Sequence, residues 1–155
     1  MDRSGRENYM YQYFCTVTTR SAGPLWPAGS YCINRKGDCP ENFETGSQST
    51  TCETTKSKSN SGGDFPSGSY SSSGQTMGFC CREDGNASIP VHLPTQKPFY
   101  LYRFGGKCQQ VDGMVVLEES MTLHCHVTGH ENVVPDGGRD GSPIYRVELC
   151  YYYRA

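Results

Sequence analysis

The sequence has no basic patch and no long apolar run, and these two absences exclude large classes of protein. Lysine and arginine number 14 against 16 acidic residues, and the formal net charge is −2. Proteins that bind nucleic acids need a concentrated basic surface, whereas the densest basic stretch here is Lys56-Ser57-Lys58. No apolar segment approaches the length of a membrane-spanning helix. We therefore expect no nucleic-acid partner and no membrane span.

The N-terminus lacks the pattern of a secretory signal, because residues 1–6 carry charges with no apolar core behind them. The cysteine content described below nevertheless indicates an extracellular protein. We therefore expect a mature fragment or an excised domain, whose full-length form carries a signal and has room for an upstream domain.

The sequence also lacks a convincing catalytic constellation. It has no Gly-x-Ser-x-Gly motif, and its serines lie mainly in low-complexity stretches. The sequence contains the acidic pair Glu118-Glu119. Adjacent side chains on a strand face opposite ways, so these two do not act together on one glycosidic bond. We expect a protein that is not an enzyme and needs no cofactor.

The segment from His124 to His130 is the part of the chain that most resembles a metal site. In a helix, His126 and His130 would share a face, with Cys125 as a neighbour. However, Gly129 argues against a helix, and strand alternation places His124 and His126 on the face opposite Cys125. We favour polar strand and loop histidines over a zinc site.

Cysteine, glycine and tyrosine are abundant. Nine cysteines without a zinc-type spacing indicate disulfides and a secreted, extracellular location, and the odd count leaves one thiol without a partner inside the chain. The 18 glycines and 11 tyrosines favour short strands and turns over helices. A chain of 155 residues fits one domain with a real core.

Alternating and β-rich segments predict a mostly β domain. Strands are expected at residues 9–18, 30–34, 76–81, 98–104, 114–118, 121–126 and 144–154. Turn signals separate them, including one at residues 135–141. Residues 48–74 are rich in serine, threonine and glycine, so we expect a long surface loop there.

The cysteines mark an internal repeat. Residues 36–39 resemble residues 105–108, the Cys52 segment resembles the Cys125 segment, and residues 78–80 resemble residues 148–150. These markers define unit A, residues 25–82, and unit B, residues 94–153, with equivalent positions roughly 70 residues apart. Residues 9–18 resemble a third closing strand. We predict one disulfide-rich, pseudo-symmetric antiparallel β domain across residues 1–155, sandwich-like or prism-like. The alternative is a chance likeness among short cysteine-bearing strands.

Six stretches in a specific order and spacing resemble one known family. They are Trp26-Pro27-Ala28-Gly29-Ser30-Tyr31-Cys32-Ile33, Lys36-Gly37-Asp38-Cys39-Pro40, Phe79-Cys80-Cys81-Arg82-Glu83-Asp84-Gly85, Leu93-Pro94-Thr95 leading into Pro98-Phe99-Tyr100-Leu101, Cys108-Gln109-Gln110-Val111-Asp112-Gly113-Met114, and Leu149-Cys150-Tyr151-Tyr152-Tyr153. Together they resemble the C-terminal domain of apextrin, called ApeC. Tyr13-Phe14-Cys15 adds an N-terminal match.

This resemblance implies a secreted recognition module. Members of the family are associated with binding microbial cell-wall material, with agglutinating microbes in innate defence, and in some cases with extracellular matrix or pore-forming partner domains. We therefore expect a microbial cell-wall glycan of the peptidoglycan type as the partner. The alternative is an adhesion or matrix module, or the targeting domain of a pore-forming protein, that binds a host protein or lipid.

The chain departs from the family pattern in two ways. It begins near the end of the family's usual first unit, at residues 9–18. It also lacks the acidic loop clusters of the family, with residues 49–53 and 123–126 in their places. A ligand or cation site that depends on those acids is therefore not expected here.

The repeat also suggests which cysteines pair. In each unit, a disulfide would join the loop near its start to the strand that ends it. Adjacent Cys80 and Cys81 would bond to different partners, because they face opposite ways on a strand. The resulting pairs are Cys39–Cys80, Cys108–Cys150, Cys32–Cys81 and Cys52–Cys125. Cys15 stays unpaired, because its partner would lie in the first unit that this chain lacks. Nine cysteines permit many other connectivities, including a vicinal Cys80–Cys81 bridge.

The best binding candidates are aromatic, amide and carboxylate side chains on loops. Aromatic rings stack on the faces of sugars, while amides and carboxylates satisfy the hydroxyl groups. The candidates are Asn60, Asp64, Phe65 and Tyr70 in unit A, and Asn132 and Asp136 in unit B, with Tyr100 and Tyr102 near the latter two in the repeat. For Trp26, Tyr31, Phe99 and Tyr151 we favour a place in the core.

Asn86-Ala87-Ser88 is a glycosylation sequon in a predicted surface turn. Asn86 is therefore a candidate for modification if a eukaryote secretes the protein.

Overall fold

A computed structural model describes residues 25–52, 66–71, 74–139 and 144–155, and every helix or strand element within these ranges is a β-strand. The strands are β1 (Ser30–Asn34), β2 (Glu44–Cys52), β3 (Gly68–Tyr70), β4 (Gln75–Glu83), β5 (Phe99–Arg103), β6 (Val115–Leu123), β7 (Cys125–Glu131), β8 (Gly137–Arg139) and β9 (Tyr145–Tyr153). The strand expected at residues 9–18, with Cys15, lies outside the described residues. Within the described ranges no helix is long and apolar enough to cross a membrane.

The strands form a single antiparallel sheet of nine. The disulfide-rich, antiparallel, mostly β class predicted from the sequence is therefore confirmed. The order is β6-β9-β5-β1-β4-β2-β7, with β3 added to β4 and β8 added to β9. Strands β6 and β7 lie at opposite ends of this order, although only His124 separates them in the chain. The sheet must therefore curl strongly, because β6 pairs with β9 and the residues that follow it pair with β2.

Alternation along the strands gives the curled sheet an apolar cluster on each face. The inner cluster draws on strands from both ends of the sheet and consists of Cys32, Phe79, Cys81, Tyr102, Cys125, Tyr145 and Val147. The outer cluster lies on the other face and consists of Tyr31, Val91, Leu101, Cys108, Val111, Cys150 and Tyr152. Because both faces are covered, β1, β4 and β9 contain consecutive buried residues.

Gln109 attaches the segment between β5 and β6 to the outer face. Its side chain is buried, with 1% exposure. Its Oε1 accepts a hydrogen bond from the Ser30 N–H at 2.9 Å, and its Nε2 donates to the Ile89 carbonyl at 2.9 Å. The Tyr152 hydroxyl donates to the Gln109 carbonyl at 2.6 Å. The sequence around Gln109, which contributes to the family resemblance, therefore has a structural role.

Two predictions of irregular structure are wrong. Residues 48–52 belong to β2 and residues 68–70 to β3, so residues 48–74 are not one loop. Ser49 in β2 bonds across the sheet, with its Oγ 2.8 Å from Thr76 Oγ1. The expected turn at residues 135–141 contains β8, where a Cβ on Gly137 would lie 2.0 Å from the Arg146 carbonyl oxygen. Glycine at this position allows the close approach of β8 to β9.

Four disulfides hold the described strands together. The bonds are Cys32–Cys81, Cys39–Cys80, Cys52–Cys125 and Cys108–Cys150. These are the four pairs that the repeat suggests. Strand pairing also follows a common order: β1-β4-β2 with β3 on β4 in unit A, and β5-β9-β6 with β8 on β9 in unit B.

Candidate functional site

An exposed aromatic surface lies across β5, β9 and β6. Tyr100, Tyr151 and Leu117 are direct cross-strand neighbours, and Tyr153 lies two residues further along β9. Tyr100 is 52% exposed and Leu117 is 47% exposed, while Tyr151 and Tyr153 are half-buried. We call these four residues the tyrosine face.

The three rings of the tyrosine face are in contact. The centroids of Tyr100 and Tyr151 lie 4.8 Å apart with the ring planes tilted by 35°. Tyr151 stacks on Tyr153 at 5.7 Å with an interplanar angle of 23°. Rings at these separations attract one another and form a continuous apolar surface, while their hydroxyl groups remain polar.

The position of the tyrosine face follows from strand alternation. Tyr151 and Tyr153 lie on the same side of β9 as Tyr145 and Val147, which pack in the inner cluster. The β6 partners of Tyr145 and Val147 are Leu123 and Met121, which also pack against that cluster. Further from the bend, the same side of the sheet carries the tyrosine face. The face therefore continues the inner side of the sheet beyond its apolar core.

A carboxylate borders the tyrosine face. The Tyr100 hydroxyl donates a hydrogen bond to Glu119 Oε2 at 3.1 Å. Burial and, secondly, this hydrogen bond to Glu119 raise the pKa of Tyr100 above its ordinary value. The neighbouring Glu118 lies on the opposite side of β6, where Oε2 is 3.7 Å from Arg103 Nη1. Glu119 thus has spare lone pairs to accept hydrogen bonds from a polar ligand.

The described candidates from the sequence bond to the protein's own backbone. Asp136 accepts hydrogen bonds from the N–H groups of Gly105 and Gly106, at 3.0 and 2.6 Å. Asn132 adopts a positive φ of 56° and donates to the Thr45 carbonyl at 3.1 Å.

The Tyr70 hydroxyl likewise donates to the Pro66 carbonyl at 3.0 Å. Burial, followed by interaction with Tyr102, raises the pKa of Tyr70. Asn60, Asp64 and Phe65 lie outside the described residues. Among the six loop candidates, the three that are described therefore have visible structural roles, and their role in ligand binding stays a prediction.

The placement of the four aromatic residues expected in the core is mixed. Tyr31 is buried, and Phe99 stacks on the buried Tyr152 with centroids 4.8 Å apart. Trp26 is 39% exposed beside Phe43, and Tyr151 belongs to the tyrosine face. The expectation that Tyr151 lies in the core is wrong, because the inner cluster does not extend along β9 as far as Tyr151.

The strands separate the side chains of residues 124–130, which resembled a metal site in the sequence. His124 forms the bend between β6 and β7, while His126 lies opposite Thr51 in the pairing of β7 with β2. Cys125 is bonded to Cys52 and is not available as a thiolate ligand. No group of three histidine, cysteine or acidic side chains suited to a metal ion, His130 included, occurs within the described ranges.

The sequon lies on an exposed turn. Asn86 Oδ1 accepts a hydrogen bond from the Ser88 N–H at 2.9 Å, which is an Asx turn. Asn86 itself is exposed. Its glycosylation stays a prediction.

The sequence reasoning named Tyr100 beside the loop candidates, but it placed Tyr151 in the core and did not find Leu117, Tyr153 or Glu119 as parts of a binding surface. The available signal was the run Tyr151-Tyr152-Tyr153 in a strand, where the middle ring must face away from the other two. Tyr152 is indeed fully buried between two half-exposed neighbours. The addition of Tyr100 and Leu117 required the pairing of three strands.

These features define a disulfide-stapled antiparallel β domain with an exposed aromatic face. A family model described as the C-terminal domain of apextrin, ApeC, matches residues 1–152, and the chain belongs to this family. No curated protein matches the chain, and no solved structure does. Four disulfides and membership of this family fit an extracellular protein.

Proposed function

We propose that the protein is a secreted, non-enzymatic recognition module of innate defence that binds microbial cell-wall glycan of the peptidoglycan type. The tyrosine face is the proposed binding surface. The observation that carries the proposal is the row of contacting rings of Tyr100, Tyr151 and Tyr153, which are partly exposed on a sheet held by disulfides. Family membership supports the extracellular setting.

The chemistry of the tyrosine face suits a sugar chain. The C–H faces of pyranose rings are apolar and pack on aromatic rings, while sugar hydroxyl groups need acceptors and donors at the edge. Three phenol groups and the Glu119 carboxylate supply such partners beside the rings. Because the rings contact one another on paired strands, little side-chain freedom is lost when a ligand covers them.

Retention of the folded protein on insoluble peptidoglycan tests the proposal. The wild-type protein should be retained at both low and physiological salt, because stacking depends little on ionic strength. Tyr151→Ala should lose most of this retention. Ile89→Ala removes an apolar, 62% exposed side chain outside the face, and it should be retained like the wild type. No retention of the wild-type protein at either salt concentration contradicts the proposal.

The second candidate is an adhesion or matrix module, or a targeting domain, that binds a host protein or lipid. The observation in its favour is the exposure of Leu25 and Ile89, at 81% and 62%, outside the tyrosine face. Binding to host cells or matrix that persists in excess soluble muropeptide would favour this candidate. Loss of binding in the same competition favours the glycan.

A further inference from the structure

Glu119 is the single charged side chain on the side of β5, β6 and β9 that carries the tyrosine face. These three strands are described in full, and their pairing places tyrosines or apolar residues at every other position on this side. The cross-strand partner of Glu119 is Leu149, and its neighbours on the same side of β6 are Leu117 and Met121. One carboxylate therefore lies among rings and apolar side chains.

No arginine, lysine or histidine neutralises Glu119 within the part of the chain that the structure describes. Its side-chain hydrogen bond there is the one that it accepts from the Tyr100 hydroxyl, at 3.1 Å from Oε2. By contrast, Glu118 on the opposite side of β6 has its Oε2 3.7 Å from Arg103 Nη1. The tyrosine face thus carries one negative charge that no described side chain neutralises.

The tyrosine rings also favour a positively charged ligand group. The face of an aromatic ring is electron-rich and attracts a cation that lies within about 6 Å of the ring centroid. Tyr100 holds Glu119 at its hydroxyl group, and the centroid of the Tyr151 ring lies 4.8 Å from that of Tyr100. A cation over the Tyr100 ring therefore meets an electron-rich face, with a second ring and a carboxylate beside it. An anion at the same place is repelled by these groups.

We propose that the tyrosine face recognises an ammonium group on its glycan ligand, which lies over the Tyr100 ring and beside the Glu119 carboxylate. This recognition rests on the proposed function, because it concerns the charge of a ligand group at that same surface. An amino sugar and an amino acid attached to the glycan both carry such a group in weakly acidic solution. Acetylation of the amine removes the charge, so the acetylated ligand keeps the ring contacts and loses its attraction to Glu119.

Chemical acetylation of peptidoglycan gives a matched pair of insoluble ligands that differ in their free amino groups. In weakly acidic buffer of physiological salt, the wild-type protein should be retained more strongly on the untreated preparation than on the acetylated one. Equal retention on both preparations overturns the ammonium site and leaves the proposed function standing. No retention on either preparation contradicts both.

Binding isotherms with soluble ligands measure the preference and locate its source. One pair of ligands is a glucosamine tetramer and its N-acetylated form. The other pair is a muropeptide with a free lysine amino group and the same muropeptide acetylated at that amine. The amine form of at least one pair should bind about three- to fivefold more tightly, as expected for one exposed ion pair with a cation–π contact. The pair that shows the preference identifies the amino sugar or the amino acid as the source, and absence of the preference from both pairs overturns the proposal.

Two charge variants at neighbouring positions of β6 separate a local effect from an effect of the overall charge. Glu119→Gln keeps the shape of the side chain and should reduce the preference to less than about twofold. Glu118→Gln removes the same charge from the opposite side of the strand and should keep the wild-type preference. Binding of the acetylated ligands should be similar in all three proteins. A preference that survives in Glu119→Gln, or that falls equally in Glu118→Gln, overturns the proposal.

Discussion

The rings of Tyr100 and Tyr151 lie 4.8 Å apart, and these residues pair across β5 and β9 in unit B. The corresponding cross-strand pair in unit A, between β1 and β4, is the disulfide-bonded pair Cys32 and Cys81. In both units, the member of this pair on the closing strand directly follows a disulfide-bonded cysteine. Unit A has a buried covalent link at this register, and unit B has two partly exposed rings. The difference explains why the aromatic face lies on unit B.

The first prediction concerns Tyr151, which contacts both other rings of the tyrosine face. Tyr151→Ala should weaken binding to peptidoglycan by about tenfold, since an aromatic contact contributes about 1 to 1.5 kcal/mol. Tyr151→Phe keeps the ring and should bind within about threefold of the wild type. Binding isotherms with soluble glycan fragments measure both values. Equal losses in the two variants would assign the effect to the hydroxyl group and contradict ring stacking.

The second prediction concerns acid stability through Asp84. The hydrogen bond from Arg82, ahead of that from the Gly29 N–H, lowers the pKa of Asp84 from 3.8 to about 2. A lowered carboxyl pKa contributes stability that is complete above the unfolded-state pKa and is lost as the pH falls towards 2. Asp84→Asn should therefore cost about 1 kcal/mol at pH 7, reduced by solvent because the Asp84 side chain is 43% exposed.

Urea unfolding of the wild type and Asp84→Asn at pH 7 and at about pH 2 checks this prediction. The difference in unfolding free energy should be present at pH 7 and should shrink at the lower pH. A difference of the same size at both pH values would contradict the role of the Asp84 charge.

The third prediction concerns the close approach of β2 to the segment after β7. A Cβ on Gly46 would lie 1.7 Å from the Val133 carbonyl oxygen, which is backbone and cannot turn away. Gly46→Ala should therefore reduce the free energy of unfolding by about 3 kcal/mol or more. Gly129→Ala on neighbouring β7 is the matched control, because its Cβ meets nothing within 4 Å, and it should change stability by less than about 0.5 kcal/mol. Denaturant unfolding of both variants measures the contrast, and similar costs would contradict the close approach.

The fourth prediction concerns the disulfide that fastens the bend of the sheet. Cys52–Cys125 joins β2 to β7 across a sequence separation of 73 residues, directly after His124. Replacing both cysteines with alanine should lower the free energy of unfolding by about 2 to 4 kcal/mol, because the unfolded chain loses a long cross-link. Chemical unfolding under non-reducing conditions is the measurement. A cost below about 1 kcal/mol would mean that the bend is held by packing alone.

Cysteine content and alternation determined much of the fold in advance. β1 is predicted with its exact bounds, and β4, β5 and β9 to within two residues. These strands combine apolar alternation with nearby turn signals, so local information suffices. The expected strands 114–118 and 121–126 divide β6 and run across the bend at His124, so β6 and β7 are predicted only in part. The three strands that were missed altogether, β2, β3 and β8, are polar or glycine-rich, and their pairing partners rather than their own residues make them strands.

The sequence by itself determined the mostly β class and the family, because each depends on order and spacing along the chain. The repeat suggested the four cysteine pairs, and the structure selected them from the other connectivities that nine cysteines permit. Only the tertiary structure decided which aromatic residues are exposed. Tyr151 and Tyr152 are adjacent and chemically identical, yet Tyr152 is buried and Tyr151 belongs to the tyrosine face. Alternation turns the two rings to opposite faces, and Tyr152 is covered there by the outer cluster. The curl of the sheet encloses one stretch of the inner side and leaves the stretch with Tyr151 open, and both effects depend on contacts between segments far apart in the chain.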